Sequence, residues 1–321
     1  MARLAVKRAL AVALCGGVAA ACGGGSEEGA EPAAKPAAAP ATGISVVAQR
    51  KIDARLSEYT LKTTALDEET GVRVLLPRGY DAHPERRYPV LYLLHGRDGT
   101  FRDWTKYGAA ERATARVPLI VVMPDAGRVA EYTDWYQGGA PKKPRWEAYH
   151  VDQLVQWVDA RFRTIAARRG RAIAGLSMGG FGALSYAARN PGTYAAAASF
   201  SGALELGSED AWGTRVADPA LWRAHLPIDL ASRLRSLALV ELRTGDGAPG
   251  PLDERGTKRG CGACVVERFL HPMNVRMHER LRTLGIRHVW DDYGPGTHDW
   301  PYWRRDLRET LPDLMRTLAS R

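Results

Sequence analysis

Residues 172–174 (Ala-Ile-Ala) read as a short buried strand. They run straight into Gly175-Leu176-Ser177-Met178-Gly179-Gly180 and then into a helix of small residues, 179–189, that stops at Asn190-Pro191. The spacing Gly-x-Ser-x-Gly is that of a nucleophile elbow. Its turn holds the serine oxygen clear of the backbone, and its glycines let neighbouring chain pass close by. As a bare pattern it is weak, because glycine and serine are common. The strand before it and the helix after it supply the context that the motif needs.

The rest of the chain extends that context. Apolar runs at 73–76, 89–94, 118–123, 195–200 and 237–242 have the length and composition of buried strands, and a further strand is read at 287–292. Between them Val151, Leu154, Val155, Val158 and Phe162 fall on one helical stripe. Strands alternating with helices predict an α/β fold with a doubly wound, mostly parallel sheet covered on both faces.

An elbow serine needs a histidine and an acid further along the chain. The histidines after Ser177 are His225, His271, His278, His288 and His298. His278 falls in a helix-like stretch and His288 opens the last strand. His298 stands in the turn-rich Gly294-Pro295-Gly296-Thr297-His298 just beyond that strand, where sheet ends deliver reactive groups. Two backbone N–H groups are also needed for the oxyanion. Met178, directly after the serine, supplies one, and Arg97, in the loop after strand 89–94, is expected to supply the other. His95 precedes the serine and is expected to pack or hydrogen-bond beneath that loop. By position alone Asp246, just after strand 237–242, is the obvious acid.

The amino end differs in kind. Arg3, Lys7 and Arg8 precede an apolar run, residues 9–21, too short to span a bilayer, so residues 1–21 read as an export signal. Ala19-Ala20-Ala21-Cys22 resembles a lipobox, in which the cysteine is lipidated after cleavage. Cys15 follows Leu14, which is too bulky for such a site. An ordinary secretory peptide ending in alanines is the alternative. Residues 22–43, rich in Gly, Ala, Pro and Glu, have almost nothing to bury and read as a flexible tether ahead of one domain at 44–321. The expected location is the cell envelope, with the membrane reached through Cys22.

The formal charge of +9 falls to +6 without the signal, from 42 basic and 36 acidic residues. No basic run interleaves with aromatics, so nucleic acid is not an expected partner. Beyond Cys15 and Cys22 only Cys261 and Cys264 remain. In an exported chain this CxxC reads most simply as a small structural disulfide, since a redox-active pair is expected at a helix start inside a thioredoxin-like βαβ unit, which is not read here. A zinc site would need two more ligands with only His271 near in sequence, so neither metal nor cofactor is expected.

Seven stretches in order then carry a resemblance: PVLYLLHG (89–96), MPDAG (123–127), YTDWYQ (132–137), GLSMGG (175–180), the tryptophan and Asp-Pro pattern of 212–222, GDGAP (245–249) and GTHDWPYW (296–303). The chain resembles the esterase family of α/β-hydrolases that includes the mycobacterial antigen 85 mycolyltransferases and the S-formylglutathione hydrolases. The mycolyltransferase branch is the more similar.

That resemblance implies the α/β-hydrolase fold and ester hydrolysis through an acyl-enzyme, with Ser177 as nucleophile and His298 as base. It also favours a different acid, a glutamate seven residues before an asparagine at the head of a helix. Here Glu267 stands seven before Asn274, with a helix expected to open at Pro272, so Glu267 is preferred to Asp246. Asp98 and Trp300 are expected to touch substrate. The loop His95–Asp98 does not reproduce the sugar-contacting pattern of the mycolyltransferases, and the CxxC and lipid anchor are not typical of them. Acyl transfer to a sugar or glycerol hydroxyl, thiol ester hydrolysis, and a binding role on the same fold are the alternatives.

Overall fold

The computed structural model describes residues 42–129, 132–136 and 143–319. The export signal, Cys22 and nearly all of the tether lie outside the described residues. Nine strands among those described form one sheet: β1 (Ile44–Lys51), β2 (Leu56–Thr63), β3 (Thr70–Leu75), β4 (Val90–Leu94), β5 (Ile120–Pro124), β6 (Arg171–Leu176), β7 (Ala196–Phe200), β8 (Leu239–Thr244) and β9 (Val289–Asp292). Their spatial order is β1-β2-β3-β5-β4-β6-β7-β8-β9. The pairs β1–β2, β2–β3 and β3–β5 are antiparallel, and every pair from β5–β4 onward is parallel.

The apolar runs became strands because both faces of the parallel part are covered. Four helices do most of this: α1 (Leu154–Arg161), α2 (Met178–Arg189), α3 (Gly262–Thr283) and α4 (Trp300–Ala319). Val90, Tyr92, Val122, Ile173 and Val240 point into one core with Leu154, Leu184 and Met277 from α1, α2 and α3. The alternate residues Leu91, Leu93, Val121, Ala174 and Phe200 meet Leu307, Leu311 and Leu314 of α4 on the other face. A single π-helical turn, Ala148–Gln153, leads into α1 and buries Tyr149, His150 and Val151.

Two strands, β1 and β2, are not flagged by apolar runs. β1 is an edge strand whose residues are almost all exposed. β2 carries Glu58, buried only because Arg50, Arg73 and Arg102 surround it.

One expectation is corrected. No helix opens at Pro272. α3 starts at Gly262, and Pro272 lies inside it, as do Glu267 and Asn274. Cys264, Glu267, Leu270, Asn274, Met277 and Leu281 make one continuous buried stripe, and packing along it outweighs the hydrogen bond that a mid-helix proline forfeits.

The direction in which the sheet is wound reverses at β4, since the chain passes to β5 on one side of it and then to β6 on the other. The crevice beyond the carboxyl ends of β4 and β6 is therefore the switch point of the sheet, where sites in open parallel sheets form.

Candidate active site

The elbow occupies that crevice. Ser177 caps the start of α2 with φ 54° and ψ −119°, a left-handed strain that the surrounding chain must hold. Its N–H donates to the Phe200 carbonyl at 2.9 Å, and its own carbonyl accepts from Gly180 at 2.9 Å and Phe181 at 3.1 Å. The glycines are sterically required. A Cβ at Gly175 would lie 2.3 Å from the Gly179 carbonyl oxygen, and one at Gly179 would lie 2.6 Å from the carbonyl oxygens of both Leu94 and His95. Ser177 thus projects at the amino end of a helix, where the free N–H groups favour negative charge.

The loop after β4 closes over the elbow. A Cβ at Gly96 would come within 2.6 Å of Leu176 Cδ1 and 3.4 Å of Ser177 Cβ, so the backbone beside Arg97 runs against the serine. His95 is buried beneath this loop. Its Nε2 accepts from the Ala126 N–H at 3.1 Å, and its carbonyl accepts from the Tyr132 hydroxyl at 3.0 Å. His95 therefore supports the loop from below.

Glu267 and His298 meet. His298 Nδ1 lies 2.6 Å from Glu267 Oε2, and the carboxylate side chain is fully buried. An ionised carboxylate only accepts, so Nδ1 carries a proton, and in the neutral ring that tautomer leaves the lone pair on Nε2. The other oxygen, Oε1, accepts from the Ser201 hydroxyl at 2.6 Å, the Thr244 hydroxyl at 3.0 Å and the Gly245 N–H at 2.9 Å. Burial alone would push the Glu267 carboxyl up. The hydrogen bond and charge of His298, with the bonds from Ser201 and Gly245, outweigh it and hold the group below its ordinary value. His298 is also fixed by its backbone N–H, which donates to the Ala263 carbonyl at 3.1 Å, and by Trp303, whose ring stands edge-on at 4.9 Å.

Ser177, Met178, Arg97, Asp98, His298 and Trp300 all line one cleft of about 570 Å³. Its walls differ. Leu206, Val266, Phe269 and Leu270 form an apolar side, whereas Arg97, Asp98 and Asp103 are polar. Asp98 also pairs with Arg128 at 2.8 Å, and Trp300 packs on Trp104 and Tyr107. A larger hollow of about 710 Å³, around Asp53, Arg55, Tyr80 and Glu111, contains none of the predicted site residues.

Asp246 lies elsewhere. Its Oδ1 accepts from the Ala248 N–H at 2.6 Å, an Asx turn, and it borders a separate hollow with Arg259 and Arg268. Cys261 and Cys264 are joined as a disulfide at the start of α3. Among the described residues no group of His, Cys, Asp or Glu is arranged to hold a metal ion, and no helix is long and apolar enough to cross a membrane.

Sequence reasoning missed Ser201, Thr244 and Gly245, the donors to Glu267, and the apolar wall. The available signal was position, since Ser201 directly follows β7 and Thr244-Gly245 ends β8, at the same sheet edge as the elbow.

Residues 63–314 match the family described as "Putative esterase". Esterase Rv1288 of Mycobacterium tuberculosis is 44% identical over 169 residues, which cover 51% of this chain and 36% of that protein, so the chain matches about a third of that relative's length. The diacylglycerol acyltransferase/mycolyltransferase Ag85B of Mycobacterium leprae is 30% identical over 72% of this chain and 77% of its own length. Among solved structures, a ferulic acid esterase superposes with a TM-score of 0.61 at 25% identity, covering 82% of this chain and 98% of that one. An S-formylglutathione hydrolase from Agrobacterium tumefaciens shares the fold, with a TM-score of 0.68 at 18% identity over 85% of this chain and 99% of its own. With its mostly parallel sheet, its strained elbow serine and this match over most of its length, the chain belongs to the esterase family of α/β-hydrolases.

Proposed function

We propose that the protein is a serine carboxylic-ester hydrolase working through a Ser177–His298–Glu267 triad. The observation that carries this reading is the buried Glu267 bonded to His298 Nδ1 at 2.6 Å, with His298 and Ser177 lining one cleft. His298 Nε2 takes the Ser177 proton as the oxygen attacks the ester carbonyl. The N–H groups of Met178 and Arg97 stabilise the oxyanion, and the amino end of α2 adds to the field. The imidazolium, stabilised by Glu267, returns the proton to the leaving alcohol. Water activated by the same imidazole then releases the acid from the acyl-enzyme. No step draws on a metal or cofactor. The apolar wall suits the acyl part of the ester, and we assign Asp98 and Trp300, which line the same cleft, to the alcohol part.

Acyl transfer to a sugar or glycerol hydroxyl is the second reading, favoured by the similarity to Ag85B. It uses the same acyl-enzyme and differs only in the acceptor. Retention of serine, histidine and glutamate argues against a binding role alone. Lipidation of Cys22 at the cell envelope is part of the proposal and rests on the sequence of residues 1–43.

The test is turnover of p-nitrophenyl esters of increasing acyl length by wild type and Ser177→Ala, with and without glycerol or a disaccharide. Hydrolysis that persists in Ser177→Ala would remove the serine mechanism. An acyl product on the added acceptor, exceeding free acid, would favour transfer.

A further inference from the structure

α3 is entered from a long irregular loop, residues 246–260, containing Gly247, Gly250, Gly256 and Gly260. Regular helix begins only after the cap residue Cys261. Its sulfur accepts the Cys264 N–H at 3.0 Å, its carbonyl accepts the Val265 N–H at 2.9 Å, and the disulfide to Cys264 closes that same turn. Between the two cysteines sits Ala263, whose carbonyl holds the His298 N–H at 3.1 Å. One turn further, on the buried stripe shared with Cys264, is Glu267. The loop presses on this turn as well: a Cβ at Gly247 would lie 2.6 Å from the Cys264 carbonyl oxygen and from the Arg268 N.

A bridge that encloses two residues removes little freedom from the unfolded chain, so it is a poor global staple. Its effect is local. The first turn of a helix lacks half of its hydrogen bonds and frays readily. Here that turn contacts the histidine through its backbone and carries the glutamate one turn on.

We propose that the Cys261–Cys264 disulfide is a positioning device for the His298–Glu267 pair, holding the first turn of α3 so that the imidazole and carboxylate stay in register with Ser177. The proposal rests on the triad reading above. Opening the bridge takes two electrons and two protons from a dithiol, which leaves as its own cyclic disulfide while both cysteines become thiols. The fold, carried by the sheet and its two cores, remains.

The experiment compares oxidised wild type, the same protein after dithiothreitol, the reduced sample after reoxidation, and a Cys261→Ser/Cys264→Ala variant. Free thiols, near-ultraviolet circular dichroism, kcat and KM are measured on a short p-nitrophenyl ester. On reduction kcat is expected to fall by about tenfold or more, since displacements of about 1 Å cost rate steeply. KM should stay within about twofold, because the bridge touches no bound group. Reoxidation restores kcat, and the double variant matches the reduced enzyme without responding to dithiothreitol.

A purely structural bridge would lower the folded fraction while leaving kcat per folded molecule unchanged, which overturns the proposal. So does full turnover in protein with two free thiols, or an equal effect of dithiothreitol on the double variant. Ser177→Ala separates the two readings. If oxidised wild type shows no Ser177-dependent hydrolysis, the triad reading fails. If it does, and reduction leaves kcat unmoved, only the positioning proposal fails.

Discussion

Glu267 Oε2 lies 2.6 Å from His298 Nδ1, while its Oε1 collects donors from β7 and β8. One carboxylate therefore ties the histidine loop to two strand ends, and it does so with no exposed surface. Glu267→Gln keeps the size and removes the charge. On the proposed triad we expect kcat to fall by about 10³- to 10⁴-fold, as when a triad carboxylate is neutralised. Asp246→Asn keeps its Asx turn and should remain close to wild type. Parallel kinetics on both variants, each with an unchanged circular dichroism spectrum, check the assignment. A crippled Asp246→Asn beside a normal Glu267→Gln would reverse it.

Ser201 offers a finer test of the same network. It holds φ 48° directly after β7 and donates to Glu267 at 2.6 Å. Ser201→Ala leaves a buried carboxylate short of one donor, which should cost roughly 1–3 kcal/mol of stability. Urea denaturation measures that loss, and kcat should fall far less than in Glu267→Gln because the bond to His298 survives. An unchanged denaturation midpoint would mean that Ser201 does not support the acid.

The backbone at the elbow is equally testable. Gly179→Ala places a methyl 2.6 Å from two carbonyl oxygens of the strand-end chain, neither of which can rotate away. Roughly 1–3 kcal/mol of destabilisation is expected, together with loss of the serine geometry. Gly192→Ala is the control, since nothing lies within 4 Å of a Cβ there, and it should be neutral within about 0.5 kcal/mol. Equal stability of the two variants would contradict the packing described at the elbow.

Much of this site was legible because it is local. The serine, its glycines, the preceding strand and the following helix are contiguous, and His298 sits in a turn-rich loop after the last strand. The acid could not be read from its neighbours. Pro272 suggests a helix start, whereas packing along Cys264, Glu267, Leu270 and Asn274 carries α3 through it. Ser201, Thr244 and Gly245 have no motif, and their role exists only where β7, β8 and α3 converge. Strands β1 and β2 escaped notice because a polar edge strand, and a strand whose Glu58 is neutralised by arginines, do not look like buried sheet.

That arginine cluster sets an acid limit on stability. Glu58 is held at about 2, chiefly by its hydrogen bond from Arg102, with Arg73 and Arg50 adding to it against the effect of burial. A carboxyl depressed on folding contributes stability that is complete above its unfolded value of 4.5 and is lost as pH falls toward about 2. The Arg50 side chain is about two-thirds exposed and that of Arg102 about half, so solvent screening reduces the effect to about 1 kcal/mol, or about 2–4 °C in Tm. Glu58→Gln should therefore lower Tm near neutrality by that amount and flatten its decline between pH 4.5 and 2. A decline as steep as that of wild type would show that the cluster contributes nothing.

The apolar wall of the cleft makes the last prediction, and it bears on substrate rather than on chemistry. Phe269 is 58% exposed on α3 yet lines the cleft beside Val266 and Leu270, with Leu206 also on this wall. So large an exposed aromatic surface in the cleft that holds Ser177 is available to cover part of an acyl chain. An acetyl group ends before reaching a side chain at the rim, whereas an octanoyl chain has the length to lie against it. Removing a partly buried phenyl contact forfeits about 1–1.5 kcal/mol of apolar burial, or roughly five- to tenfold in affinity. Phe269→Ala should therefore lower kcat/KM for p-nitrophenyl octanoate by about that factor, mainly through KM, because the contact is made equally in ground and transition states. Turnover of the acetate should be nearly unchanged. Equal losses on both esters would mean that Phe269 supports the helix rather than the substrate, and that the acyl chain leaves the cleft by another wall.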